Sequence, residues 1–349
     1  MSFKSFDLAH DVGSVLSAVN EVLTISSSLF GSPAGDPNIK TYQNISSGSL
    51  TTPLGGYWQT VFDSSPSSIQ STALFDITFG FASSSDAGSY YHKAKVGTSV
   101  SSSYQEKNKV YREMASILLG SADQTFTINN VDAQECFFIM VKRGIMKDEL
   151  KKGVVVVSLS GSTNGVITGS DIGAGNSYKQ TVGGDYAWLL NEGNQIGQVW
   201  YNAGIIVIPA TAGTMPWSVA STTRWSGSLD GAAYNLDTII SSGTIDELVT
   251  GFRSHLENLA FQNQTNLYST IYFCRATNTE FNYSSNPTFI DGSQRIIVTS
   301  GSNIMQSRTY ITKVGLYDAN DNLLAVGSVN KPITKSPDTE SIYRIRLDY

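Results

Sequence analysis

Charge is scarce in this sequence. Asp, Glu, Lys and Arg supply 15% of its 349 residues, against about 25% in an ordinary soluble domain. A free monomer relies on a dense, mixed-sign surface for solubility, so the shortage predicts that much of this surface is covered by other chains. An excess of basic residues is also lacking. With 23 Lys and Arg against 29 Asp and Glu, the net charge is −6, the wrong sign for a protein that displaces counterions from phosphates, and nucleic acid is not an expected partner.

Cysteine and histidine are nearly absent. Cys136 and Cys274 stand alone in apolar runs, and His10, His92 and His255 are far apart. Neither a disulfide framework nor a zinc site is expected, and both thiols read as buried. No apolar run approaches 18 residues; the nearest, Val154–Val157 and Gly204–Ala210, are strand-sized, so no membrane insertion is expected. The N-terminus, beginning Met1-Ser2-Phe3-Lys4, shows no secretory signal pattern.

What the sequence does have is strand after strand of apolar residues between Ser- and Gly-rich stretches. Val12, Val15, Leu16, Val19, Val22 and Leu23 recur at three- and four-residue steps, which predicts an N-terminal helix. Residues 27–70 are rich in Ser, Gly and Pro and read as an extended arm, the remainder of a 1–70 segment. Phe75, Ile77, Phe79 and Phe81 alternate with Asp76, Thr78 and Gly80, a strand pattern. A helix is predicted over 105–119 with Gly120 as its left-handed C-cap. Strands follow over Cys136–Lys142 and Val154–Leu159, with a charged turn between them. A Gly-rich insertion occupies 161–197, and a strand over Val199–Ile208 ends at Pro209, closing a β-rich core at 71–209.

Residues 210–262 read as a second insertion leading into an amphipathic helix. Thr244 and Glu247 have capping-box spacing, and Ile245, Leu248, Val249, Phe252, Leu256 and Leu259 form its stripe. The C-terminal region, 263–349, reads as strands over Ser269–Arg275, Gln294–Thr299, Thr309–Tyr317, Leu323–Ser328 and Ile342–Leu347. Asp318-Ala319-Asn320-Asp321-Asn322 signals a hairpin. This region is expected to pack with the core as one discontinuous domain, its last strand pairing inside that domain. The fold class is α+β: a β-rich core of sandwich-like mixed or antiparallel sheets, a few amphipathic helices and long Ser/Gly-rich loops.

No catalytic constellation emerges. Gly173-Ala174-Gly175 lacks the third glycine of a dinucleotide fingerprint and reads as a turn. His255 reads as a solvated or locally paired histidine on the flank of its helix. Asp148 and Glu149 are the densest acid pair, but Lys147, Lys151 and Lys152 beside them would lower both pKa values, which suits a solvated turn better than a general acid. No catalytic, cofactor-binding or metal-binding residue is nominated, and no enzyme activity is expected. The interface candidates are aromatics outside the periodic segments: Tyr57, Trp58, Tyr90, Tyr91, Trp217 and Trp225.

Several blocks resemble a family of virion structural proteins from T-even-like contractile-tailed phages, the marine, cyanophage-type relatives in particular. They are Leu74–Gly80, Lys147–Gly153, Trp200–Ile208 and Ile271–Ala276. Glu280-Phe281-Asn282-Tyr283-Ser284-Ser285-Asn286-Pro287-Thr288, Tyr310–Tyr317 and Arg344–Tyr349 complete the set. The resemblance covers roughly residues 70 to 349. It implies a non-enzymatic particle component of the tail, baseplate or neck, made in the host cytoplasm and assembled with other virion proteins and with copies of itself in a symmetric ring. The alternative is a receptor- or glycan-binding tail module, in which the same aromatics stack on sugars.

Overall fold

The computed structural model describes residues 4–26, 39–42, 58–82, 102–161, 165–210, 244–297 and 308–348. Strand accounts for 54% and helix for 11%, so the chain is a β-rich α+β protein whose sheets are antiparallel. It divides into two compact units, Val19–Thr265 and the discontinuous pair Met1–Ala18 with Asn266–Tyr349. Among the described residues no helix is long and apolar enough to cross a membrane.

The strands are, in chain order, β1 (Val12–Ser26), β2 (Ile39–Tyr42), β3 (Trp58–Phe62), β4 (Ala73–Phe81), β5 (Phe126–Ile128), β6 (Val131–Ala133), β7 (Glu135–Val141), β8 (Glu149–Leu150) and β9 (Val156–Gly161). Then come β10 (Gly165–Ser170), β11 (Lys179–Thr181), β12 (Gly184–Asn191), β13 (Asn194–Trp200), β14 (Ile205–Pro209), β15 (Leu256–Ala276), β16 (Thr309–Tyr317), β17 (Leu323–Lys335) and β18 (Ser341–Asp348). The described helices are α1 (Ser102–Leu118), α2 (Arg143–Met146) and α3 (Ile245–His255).

In the Val19–Thr265 unit the sheet runs β15-β9-β10-β12-β13-β14-β7-β4-β3-β2. Its centre is the pair β4 and β7, in register from Phe75↔Val141 to Phe81↔Glu135. Both strands are buried almost throughout, on alternating residues as well as on one face. The cause is a helix on each side. Phe252 of α3 stacks on Phe137 with ring centroids 4.4 Å apart, and Phe137 is the register partner of Phe79. On the opposite face Tyr111 of α1 meets Phe138 and Phe126 edge-on. Strands covered on both faces lose the polar alternation of a half-exposed sheet, which is why Glu135-Cys136-Phe137-Phe138-Ile139-Met140-Val141 is one apolar run.

α1 comes so close to β4 that a Cβ on Gly80 would lie 2.6 Å from the Tyr111 backbone nitrogen and 3.0 Å from the Lys107 carbonyl oxygen. Its C-terminus is capped as expected: Gly120 has φ +92° and donates to the Ala115 carbonyl at 3.1 Å. α3 begins with the expected capping box, in which the Glu247 amide donates to Thr244 Oγ1 at 3.2 Å and the Thr244 amide to Glu247 Oε2 at 2.7 Å.

Four expectations are corrected. Val12–Ser26 is a strand, not a helix. Six of its 15 residues are β-branched, which stiffens χ1 against the preceding helical turn, and the supposed apolar stripe is largely uncovered, with Val19 56% and Val22 69% exposed. Residues 161–197 are not a loop insertion but strands of the sheet, β10 to β13. Their glycines sit at the reversals: Gly165, Gly184 and Gly193 all have positive φ. The single strand expected over Val199–Ile208 is two strands folded back at Tyr201–Gly204, and Pro209 is the last residue of β14, opposite Cys136. Leu256 and Leu259 belong to β15, because α3 stops at His255 and the chain turns extended there.

In the discontinuous unit, β15 pairs with β18 from Ser269↔Asp348 to Ala276↔Ser341, so the last strand pairs within its own unit, as expected. The N-terminal residues are fastened to this unit by Asp11–Arg275 at 2.7 Å and Lys4–Glu280 at 2.8 Å. β16 and β17 form a separate two-stranded hairpin around the expected turn. There the Asp318 amide donates to the Asn322 carbonyl at 3.0 Å, and Asp318 Oδ1 accepts from the Asn320 and Asn322 amides. The strand expected over Gln294–Thr299 is reduced to an isolated bridge between Ile290 and Ile296, with residues 298–299 outside those described.

The close approach at Gly80 gives a test. Gly80→Ala is expected to destabilise the protein by about 2 kcal/mol through overpacking between β4 and α1, read as a lower urea midpoint with an unchanged slope.

Candidate functional site

Of the six aromatic candidates, Trp58 is described: it opens β3, half-buried, with Tyr42 as its register partner. Tyr57, Tyr90, Tyr91, Trp217 and Trp225 lie outside the described residues, as does most of the extended arm at 27–70.

Glu149, one of the two acids that sequence reasoning singled out, joins two that it missed, Asp185 and Asp171, in a polar network of the Val19–Thr265 unit. Glu149 is brought there by β8, which pairs with β15 at Gln264. Its Oε1 accepts from Gln264 Nε2 at 2.7 Å and its Oε2 from Asn202 Nδ2 at 3.2 Å. Asn202, in the turn after β13, accepts in turn from the Asp185 amide at 3.2 Å. Asp185 binds Lys152 Nζ at 2.5 Å and Gln180 Nε2 at 2.7 Å. Burial alone would raise the Asp185 carboxyl, but the bonds from Lys152 and Gln180 outweigh it and hold the group below the usual range. Lys152 also lies 4.1 Å from the centre of the Tyr178 ring, a cation–π contact.

The second missed acid is Asp171, 1% exposed. It accepts from the Tyr201 hydroxyl at 2.7 Å and from the Gly153 and Val155 amides at 2.8 Å each. Burial pushes its carboxyl up, and these three donors draw it partly back. The hydroxyl of Tyr201 is pushed up as well, by burial and by its bond to Asp171. Each carboxylate here spends its acceptors on donors from other turns, so the network fastens the turns at 149–153, 171–178 and 200–204 to one another. Asp148 beside it is exposed, as a turn residue should be. His255 is not solvated: it is 1% exposed, with Nδ1 2.6 Å from the Ser160 carbonyl oxygen. Gly173-Ala174-Gly175 is a turn.

Lys107 of α1 is another buried ionisable group of this unit, fully enclosed. Burial pushes its ammonium down to about 8, with Glu247 and Glu106 pulling the other way. The thiols differ from expectation in one respect: Cys136 is buried, whereas Cys274 is half-buried. Among the described residues no group of three or more His, Cys, Asp or Glu is placed to hold a metal ion.

Uncovered apolar surface gathers in the discontinuous unit, on the β16–β17 hairpin. Tyr310 is 63% exposed, Leu323 52%, Leu324 67% and Val326 51%. Val326 is the register partner of Gly315, and Tyr310, five residues before Gly315 on the unbroken strand β16, points to the other face, so the hairpin exposes apolar side chains on both. The unit holding it is formally neutral, with nine Lys and Arg against nine Asp and Glu, while Val19–Thr265 carries 14 against 20 and so the whole excess of −6. The sequence signal was present in Leu323, Leu324 and Val326 just after a hairpin turn; it reads as strand formation and not as surface. Comparison with protein-family models, curated proteins and solved structures gives no match to this chain.

Two outcomes are expected here. Asp171→Asn removes acceptor capacity facing three buried donors and should cost about 2 kcal/mol of stability at neutral pH, measured by urea unfolding. Lys107 binds its proton less tightly folded than unfolded, so stability should rise as pH climbs from about 8 towards the unfolded value of 10.5. The rise is expected to disappear in Lys107→Met when the two proteins are melted side by side across that range.

Proposed function

We propose that this chain is a non-enzymatic structural subunit of a contractile-tailed phage virion, in the tail, baseplate or neck, which acts by assembling with other virion proteins and with copies of itself. The observation that carries the reading is the β16–β17 hairpin, apolar on both faces within a unit of zero formal charge. A two-stranded hairpin is marginal on its own in water, and one that exposes large apolar side chains on both faces gains stability when another protein covers it. Sparse charge over the whole sequence supports the same conclusion, since contacts between subunits remove the need for a strongly solvated surface.

The sequence resemblance supplies the kind of particle, and its most specific blocks, Glu280–Thr288, Tyr310–Tyr317 and Arg344–Tyr349, all fall in the unit that bears the hairpin. In such a subunit strength comes from many repeated interfaces and closed symmetry, and no single bond is decisive.

Particles purified from infected cells should contain this chain in a fixed, many-copy ratio to the other virion proteins, as counted by quantitative mass spectrometry. Recovery only in the soluble fraction of the lysate would refute the proposal.

A further inference from the structure

The hairpin has two edges, and they are not equivalent. β17 is interrupted: Ile311 faces Ile333 and Lys313 faces Ser328, so four residues, Val329 to Pro332, bulge out against Thr312 alone. Pro332 lacks a ladder donor, and Lys331 beside it is a charge on the strand edge. A bulge, a lysine and a proline are the devices by which proteins close a sheet edge to other chains. β16 has neither a bulge nor a proline, and its one lysine, Lys313, is the middle residue of the strand. It runs unbroken for nine residues without proline, and among the described residues its only sheet neighbour is β17.

Charge is also segregated along the hairpin. The turn carries Asp318 and Asp321, whereas Arg308 stands at the open end of β16 and Lys313 at its middle, both exposed. A second hairpin laid antiparallel against the β16 edge brings its acidic turn beside the basic end of the first, and the reverse at the other end. A parallel arrangement would set like charges together. The strand is therefore electrostatically complementary to an inverted copy of itself.

We infer that β16 is the self-association edge of this protein, and that two copies pair antiparallel through it to give a four-stranded sheet β17-β16-β16-β17. The inference rests on the assembly reading above and names the partner of the hairpin: a second copy of this chain. Two-fold symmetry about an axis perpendicular to the sheet requires one residue to face its own copy. Centring on Lys313 opposes two like charges, which disfavours that register. Centring on Val314 sets an apolar pair on the axis and places Lys313 opposite the second copy's Gly315, which leaves room for its side chain. Arg308 then lies beyond the paired residues, towards the second copy's acidic turn at Asp318–Asn322. The register has Val314 on the two-fold axis.

The experiment uses the full chain. Sedimentation at about 1 to 100 µM should show a monomer–dimer equilibrium, the dimer having twice the 37.6 kDa of one chain. Arg308→Glu with Lys313→Glu, which leaves the turn bonds of Asp318 intact, should weaken the dimer about tenfold or more, and added salt should weaken the unmodified dimer. Val314→Cys should form a symmetric disulfide under mild oxidation far faster than Val326→Cys, an exposed position on the other strand, with the unsubstituted chain as the background for Cys136 and Cys274. A chain monomeric throughout, a dimer indifferent to the charge reversal, or equal cross-linking at the two positions would overturn the inference. A chain that stays monomeric yet is recovered in particles refutes edge pairing and leaves the structural role standing. A dimer that forms through Val314 and is missing from particles does the opposite.

Discussion

The Val19–Thr265 unit depends on one constraint: β4 and β7 must be kept from water on both faces at once. Phe75, Ile77, Phe79 and Phe81 point to one side, and Cys136 and Phe138 with Thr78 and Gly80 to the other, all buried. A buried phenylalanine is worth roughly 2–3 kcal/mol over an exposed one, so leaving either face bare would remove most of the net stability of a domain. α1 and α3 are the answer to that demand, one for each face. The polar atoms they bring must then find partners. Gln59 of β3 donates to Asp246 and Thr250 of α3 and accepts from Arg253 Nε at 2.7 Å. The Tyr111 hydroxyl of α1 donates to the Ala133 carbonyl at 2.7 Å and accepts from the Phe126 amide at 3.1 Å. The enclosure of Lys107 and the lack of a side chain at Gly80 follow from the same close approach of α1.

How much of this was legible in the sequence depended on whether the deciding contacts were local. α3 announced itself through Thr244 and Glu247, whose bonds span three residues, and the β16–β17 turn through Asp318 and Asn322, which span four. Both are settled by neighbours in the chain. β1 was misread because its valines happen to fall at helical steps, and spacing is informative only when the stripe it defines is buried; here most of it is not. The end of α3 was misread for a related reason. Leu256 and Leu259 continue the four-and-three spacing of the helix, and both are buried, but by pairing with β9 and not by a helical face.

The candidate site was less legible than the fold. Asp171 and Tyr201 are 30 residues apart, and Glu149 and Gln264 are 115 apart. No pattern within a window could join them, because the joining is done by the order of strands in the sheet. Sequence reasoning found Glu149 only because a second acid stands next to it, and Lys152, one of the lysines set against that pair, binds Asp185 instead. The aromatics outside periodic segments that were chosen as interface candidates lie elsewhere in the sequence than the hairpin. Its exposed residues are ordinary strand formers, and a strand former discloses its own conformation without disclosing whether its face is covered.

The division of charge bears on how copies of this chain meet. All six net negative charges belong to Val19–Thr265, and the discontinuous unit has none. Two copies approaching through the acidic unit repel over roughly a Debye length, about 8 Å at physiological salt, whereas approach through the neutral unit meets no net repulsion. Uncovered apolar side chains would make a neutral surface indiscriminately adhesive, and here the edge of β17 is closed by its bulge with Lys331 and Pro332 while the outer edge of β16 has no sheet neighbour among the described residues. Repulsion removes one set of encounters and the closed edge removes another. The surface left over is narrow and carries charges of opposite sign at its two ends, so the low overall charge of the chain is compatible with association that is specific.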